Sequence, residues 1–361
     1  MTTPRVSLRA QHPAKPRRDP VRLNQRLLSY DTPLPIDDVR ALIDCEQDKP
    51  VATGRDILVE VRAVSVNPVD VKIRASATPQ GGPRILGWDA AGVVVEVGAD
   101  VQWFKPGDCV YYAGEIDRPG SNAEFQLVDE RIAAQKPNTL DFAQAAAMPL
   151  TAITAWEVLY DRLDVRKPVV GANNCILVIG SAGGVGSMAI QLARQEPGLT
   201  VIATASRPES IEWCRQLGAH HVLDHTKSLA DQMEALNIGA PAYVFSTTHT
   251  GQHIKDIVQI IAPQGRFCLI DDPASLDVLP LKYKSVSLHW EFMFTRSLQK
   301  TADMAMQHEI LARVASLVDG EAIRSTLKET LSPINAANLR LAHAKVETNH
   351  MIGKLVISGW S

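Results

Sequence analysis

The run CILVIGSAGGVGSMAIQLAR, Cys175 to Arg194, sets a glycine-rich turn between an apolar stretch and a helical pattern. Cys175 to Ile179 reads as a buried strand, and Val185, Ala189, Leu192 and Ala193 share one face of the helix that follows. Between a strand and a helix, the turn residues Gly180, Ser181, Ala182, Gly183, Gly184, Val185 and Gly186 can cradle a pyrophosphate. Gly183 and Gly184 let the backbone approach the phosphates, and Gly186 lets the helix pack closely on the strand. The helix N-terminus adds free N–H donors and the positive end of its dipole. Ser181 stands where the strict G-x-G-x-x-G pattern has its first glycine.

Choice of dinucleotide is read at the end of the second strand, where NAD enzymes place an acid about twenty residues on to bind the ribose 2′-hydroxyl. Here the segment TVIATASRPES supplies Ser206 and Arg207 instead. A hydroxyl and a guanidinium suit a 2′-phosphate and no carboxylate repels it, so NADPH is the expected cofactor.

Metal chemistry has little support. The five cysteines are scattered with no C-x-x-C pair, which argues against a disulfide framework and against a cysteine-rich zinc lobe. His249 and His253 stand at helical i, i+4 spacing without an obvious third ligand, and His220, His221 and His225 cluster near a strand.

The elements that position these groups divide the chain in two. A chain of 361 residues exceeds the usual size of one core. Its first half is β-like: DILVEVRAVSVN alternates apolar and polar residues, AAGVVVEVG follows, and FKPGDCVYYAG puts a Pro-Gly-Asp turn before another strand, as in a compact barrel. From Ala172 strands and helices alternate, which predicts a parallel sheet ended by VSLHWEFMF (286–294). Ile254, Ile257, Val258 and Ile261 share a helix face, as do Ile211, Cys214 and Leu217 before the capping Gly218. TADMAMQHEILARVASLVDG predicts an amphipathic helix, and IGKLVISG a last strand returning to the first domain.

With 45% hydrophobic and 21% charged residues, the composition is that of a soluble globular protein. No apolar run reaches the roughly 18 to 20 residues of a membrane span. The net charge of −3 offers no footprint for nucleic acid. Residues 1–26 carry seven Lys or Arg against Asp19, a charge of +6 that leaves −9 on the rest. Four prolines interrupt any amphipathic presequence helix there, so the expectation is a disordered basic tail and a cytoplasmic protein, with a targeting role as the alternative.

The order of NPVDVKIR, LGWDAAGVVVEVG, FKPGDCV, AEF, AAAMPLTAITAWEVL, GSAGGVG and GKLVISG resembles the medium-chain dehydrogenase/reductase superfamily, in its zinc-free quinone oxidoreductase (zeta-crystallin-like) branch. LPIDD, HTGQHIKDIVQIIAPQGRFCLIDDP and LHWEFMFTR are similar to a bacterial subgroup often labelled zinc-binding alcohol dehydrogenase family protein. The resemblance covers Leu27 onward. It implies an α/β fold: a GroES-like β-barrel substrate domain (27–153 and 297–361) interrupted by a doubly wound parallel-sheet Rossmann domain (154–296). It adds Thr154 and His225 to the expected cofactor contacts.

Zinc in the relatives sits on three protein ligands, commonly Cys, His and Cys. The matching places hold Asn67, Trp88 and Leu150, none of which supplies a thiolate or an imidazole. An alcohol is hard to oxidise without a Lewis acid or a base, whereas a quinone or an enone accepts hydride directly. The resemblance therefore implies an NADPH-dependent quinone or enone oxidoreductase, with Asn67 as hydrogen-bond donor to the acceptor carbonyl and Trp88 and Leu150 lining the pocket. Asp70 and Lys72 are expected to form a structural ion pair, with a polar relay as the alternative. An NADPH-binding protein with little turnover and a zinc alcohol dehydrogenase are the alternatives, and the edge strand suggests a homodimer.

Overall fold

The structure, a computed structural model, describes residues 24–360. Its first sheet system is antiparallel: β1 (Asn24–Tyr30), β2 (Ile43–Asp48), β3 (Asp56–Ser65), β4 (Arg84–Ile85), β5 (Ala90–Val97), β6 (Cys109–Tyr112), β7 (Phe125–Asp129) and β8 (Ala133–Gln135). The second is parallel: β9 (Asn173–Ile179), β10 (Thr200–Thr204), β11 (His221–Leu223), β12 (Pro241–Ser246), β13 (Arg266–Leu269) and β14 (Ser287–Trp290). Then β15 (Leu327–Leu331) and β16 (Lys354–Ser358) rejoin the first system, β16 pairing antiparallel with β3.

The helices in chain order are α1 (Pro68–Ser76), α2 (Phe142–Ala146), α3 (Pro149–Trp156), α4 (Gly184–Ala193), α5 (Pro208–Gln216), α6 (Leu229–Leu236), α7 (Thr250–Ile260), α8 (Thr295–Leu298), α9 (Met306–Asp319) and α10 (Ala336–Glu347). The expected borders at Thr154 and Arg296 fall inside α3 and α8, two of the helices between the sheets.

The parallel sheet runs β11-β10-β9-β12-β13-β14, so the chain reverses direction across the sheet between β9 and β12. Ligands of such folds bind at the carboxyl ends of the strands beside that reversal. β9 is buried from Cys175 to Ile179, which is why its sequence is apolar without alternation. α4 follows it immediately, with Met188, Ala189, Ile190, Leu192 and Ala193 in the core. The Trp213 indole of α5 donates to Ser187 Oγ of α4 at 2.8 Å, docking the two helices.

In the antiparallel system β3 is central, pairing with β5, β7 and β16. The expected tail reached residue 26, but residues 24–26 belong to β1, where Arg26 Nε donates to Glu124 at 2.8 Å. The rest of that expectation lies outside the described residues. Among the described residues no helix is long and apolar enough to cross a membrane.

Candidate active site

The glycine turn lies at the carboxyl end of β9. Gly180 has φ +77°, and a Cβ there would meet Thr247 Oγ1 at 2.2 Å. Gly186 carries α4 against β9: a Cβ would lie 2.5 Å from the Ser181 Cα. Gly183 caps α4 without any side-chain bond, so the first turn of α4 presents backbone N–H groups that have no intrahelical acceptor. The cradle fits a pyrophosphate.

Ser181 does something the sequence did not suggest. Its buried hydroxyl donates to the Val178 carbonyl at 2.5 Å and accepts the Thr204 N–H at 2.8 Å. The side chain clips β9 to β10, so only the backbone of Ser181 is available to a ligand. Ala182 is likewise tied: its carbonyl accepts the Gly353 N–H at 2.8 Å. Thr154 is buried in α3 with its hydroxyl donating to the Leu150 carbonyl at 2.8 Å.

Beyond β10, Ser206 is half-buried and Arg207 is exposed, opening α5 at its N-cap. The Arg207 Nη2 donates to the His350 carbonyl at 2.7 Å. His225, two residues past β11, lies within electrostatic reach of both Arg207 and His249. Burial lowers its imidazole below the ordinary value; Asp224 opposes this, while the His249 and Arg207 charges add to it. Ser206, Arg207 and His225 thus lie near one another at the carboxyl ends of β10 and β11.

Asn67 and the Leu150 backbone converge with Asp70, Asp89 and Lys354, three residues that sequence reasoning did not assign to this centre, while the Trp88 ring contacts Glu115 and Phe294. Asn67, 1% exposed, caps α1, and its backbone N–H donates to Asp70 Oδ2 at 2.8 Å. Its side-chain nitrogen donates to Asp89 Oδ2 at 2.8 Å, and its Oδ1 accepts Lys354 Nζ at 2.5 Å. Lys354 also donates to the Val66 carbonyl at 2.9 Å and lies 3.2 Å from Asp89 Oδ2. Asp89 Oδ1 accepts the Leu150 N–H at 2.8 Å, placing a carboxylate at the positive end of α3. Burial raises the Asp89 carboxyl and lowers the Lys354 ammonium from their ordinary values, while their mutual attraction works against both shifts. Asp70 is pushed up to about 7, chiefly by burial.

Trp88 is fully buried; its indole N–H donates to the Glu115 carbonyl at 3.0 Å and its ring meets Phe294 edge-on at 6.1 Å. It is a core wall with no exposed surface. Leu150 is also buried, at 8% exposure. The expected Asp70–Lys72 pair does not form. Residues i and i+2 of a helix do not face each other, and Lys72 instead bonds Asp272 at 2.7 Å. Tyr111 donates its hydroxyl to the Leu311 carbonyl at 2.6 Å.

Zinc does not fit this donor set. An amide, an indole and an alkyl chain cannot bind it; of the two carboxylates beside them, Asp89 is already paired with an ammonium and Asp70 accepts the Asn67 N–H. Among the described residues no three His, Cys, Asp or Glu side chains are grouped as metal ligands.

Residues 53–138 match the alcohol dehydrogenase GroES-like domain, and residues 184–307 match the zinc-binding dehydrogenase family. A zinc-type alcohol dehydrogenase-like protein of Staphylococcus aureus is 38% identical over 335 residues, 92% of this chain and 99% of that protein. The chain belongs to the medium-chain dehydrogenase/reductase superfamily. It is an oxidoreductase of that superfamily, with a GroES-like domain and a Rossmann-like parallel sheet. The crystal structure of a Rhizobium etli protein named after the zinc-dependent alcohol dehydrogenases has a TM-score of 0.93 at 58% identity, covering 94% of this chain and 99% of that one. An Arabidopsis thaliana protein named NADPH-dependent alkenal/one oxidoreductase is 41% identical over 180 residues, 47% of this chain and 45% of that protein.

Proposed function

We propose that this chain is an NADPH-dependent oxidoreductase that reduces α,β-unsaturated carbonyls or quinones without zinc. The observation that carries the reading is the centre formed by Asn67, Asp89 and Lys354, which replaces a metal site with a charge-balanced network. Asn67 Nδ2 bears two hydrogens, and one acceptor, Asp89, takes one of them among the described residues. The other is free for an acceptor carbonyl oxygen. The alkenal/one oxidoreductase likeness over about half the chain supports the same class of reaction.

NADPH, when bound, supplies the hydride. The protein's part is positional: the α4 N-terminus and the turn 180–186 hold the pyrophosphate, and Ser206, Arg207 and His225 favour the 2′-phosphate. Asn67 stabilises negative charge developing on the acceptor oxygen. A buried donor of this kind contributes more than the same bond in water because its environment is already ordered.

The test is rapid-mixing oxidation of NADPH by small quinones and enones, with protein purified without added metal. Fast multiple turnover supports the reading. A single slow turnover favours a second reading, an NADPH-binding protein with little catalysis, which has its own support in the burial of Asn67 and Trp88.

A further inference from the structure

Lys354 begins β16, a strand of the antiparallel system, yet its side chain reaches the centre built on α1 and β5. Its stem passes under the phosphate turn: a Cβ on Gly184 would lie 2.7 Å from Lys354 Cδ. An ammonium has three donors and no acceptor, and an ionised carboxylate only accepts. The Asn67 amide lies between one of each. Turned over, it would set its NH₂ against Lys354 and its oxygen against Asp89, losing both bonds and creating two repulsions. The assignment of its oxygen and nitrogen is therefore dictated by charge, which is not so for an amide among neutral groups.

We propose that Lys354, with Asp89 as its counter-charge, is a positioning residue that locks the Asn67 amide with its N–H side toward the acceptor and strengthens that N–H as a donor. The strengthening follows from bond cooperativity: an ammonium pulling on Oδ1 polarises the amide and makes its hydrogens more positive. The proposal rests on the donor role of Asn67 given above. It adds that the donor works only when clamped by two opposite charges delivered from segments far apart in the chain.

The experiment is a double-mutant cycle on the full chain, with kcat and KM for a quinone and the Kd of NADPH measured separately. Lys354→Met keeps the stem under Gly184 and removes the donor. It is expected to lower kcat about tenfold or more, short of the loss for deleting an oxyanion donor, with NADPH Kd changed less than about twofold. In the Asn67→Ala background Lys354→Met is expected to cost nothing further, because its target is gone. Lys354→Met paired with Asp89→Asn removes both charges together and serves if the single variant, which leaves a buried carboxylate alone, does not fold.

An equal loss of kcat from Lys354→Met with and without Asn67 would overturn the proposal, as would a fall in NADPH affinity matching the fall in turnover. Unchanged turnover in Asn67→Ala alone would remove the donor reading itself, and the Lys354 proposal with it. Turnover lost in Asn67→Ala but kept in Lys354→Met would remove only the role of Lys354.

Discussion

Lys72 Nζ, in the first turns of α1, bonds Asp272 Oδ2 just beyond β13 at 2.7 Å, joining the two sheet systems. Both side chains are largely exposed, 54% and 80%, and such pairs contribute about 0 to 1 kcal/mol. Lys72→Ala is expected to shift the melting temperature by less than about 2 °C. A large thermal shift would mean that the pair holds the domains together.

Arg207 tests cofactor choice. Arg207→Ala should weaken NADPH by about 1 to 3 kcal/mol, the range for a charge-assisted hydrogen bond, and leave NADH nearly unchanged. Equal losses for both in a binding titration would show that Arg207 does not read the phosphate.

Metal dependence is tested by chelation and by restoring one ligand. Chelators should leave quinone reduction intact and added zinc should not raise it. Trp88→His should yield no alcohol oxidation and should destabilise the fold by about 3 kcal/mol, since a buried ring is lost. Stoichiometric zinc in protein purified without added metal, with activity lost on its removal, would refute the zinc-free reading.

Asp70 carries a pH prediction. Its carboxyl is raised from 3.8 to about 7, so between those values it is protonated when folded and ionised when unfolded. Its contribution to stability is full below pH 3.8 and declines as pH rises toward 7. Melting curves of Asp70→Asn should lose this slope and gain on the wild type as pH climbs, by on the order of a few kcal/mol. Parallel curves for both proteins would refute the shift.

β14 is the outer strand of the parallel sheet, and Trp290 at its end is 56% exposed. An open edge of this kind invites pairing with a second copy. A homodimer is expected in light scattering at micromolar concentration, and a monomer mass across that range would dismiss it.

The turn at 180–186 and the six parallel strands were legible in the sequence because each depends on neighbours in the chain: a strand, a glycine run, an amphipathic helix. α9 was legible for the same reason. The function of Ser181 was not, since its partner Thr204 lies 23 residues on. Lys354 and Asn67 are separated by 287 residues, and no local pattern links them. A faint signal existed: Lys354 heads the run LVIS, where Leu355, Val356 and Ile357 are all buried. A lysine opening such a strand needs a buried anion, and Asp89 in GWDAAG was the candidate. Asp70 and Lys72 misled because adjacency in the chain was taken for adjacency in space, which a helix forbids at that spacing.

The Gly353 N–H to Ala182 carbonyl bond and the Lys354 stem beneath Gly184 make the phosphate turn depend on a strand translated after the fifteen other strands of the described chain. During synthesis the parallel sheet can form while β16 is still inside the ribosome, but the turn then lacks its floor and the centre lacks its cation. The turn is therefore complete only once β16 has paired with β3.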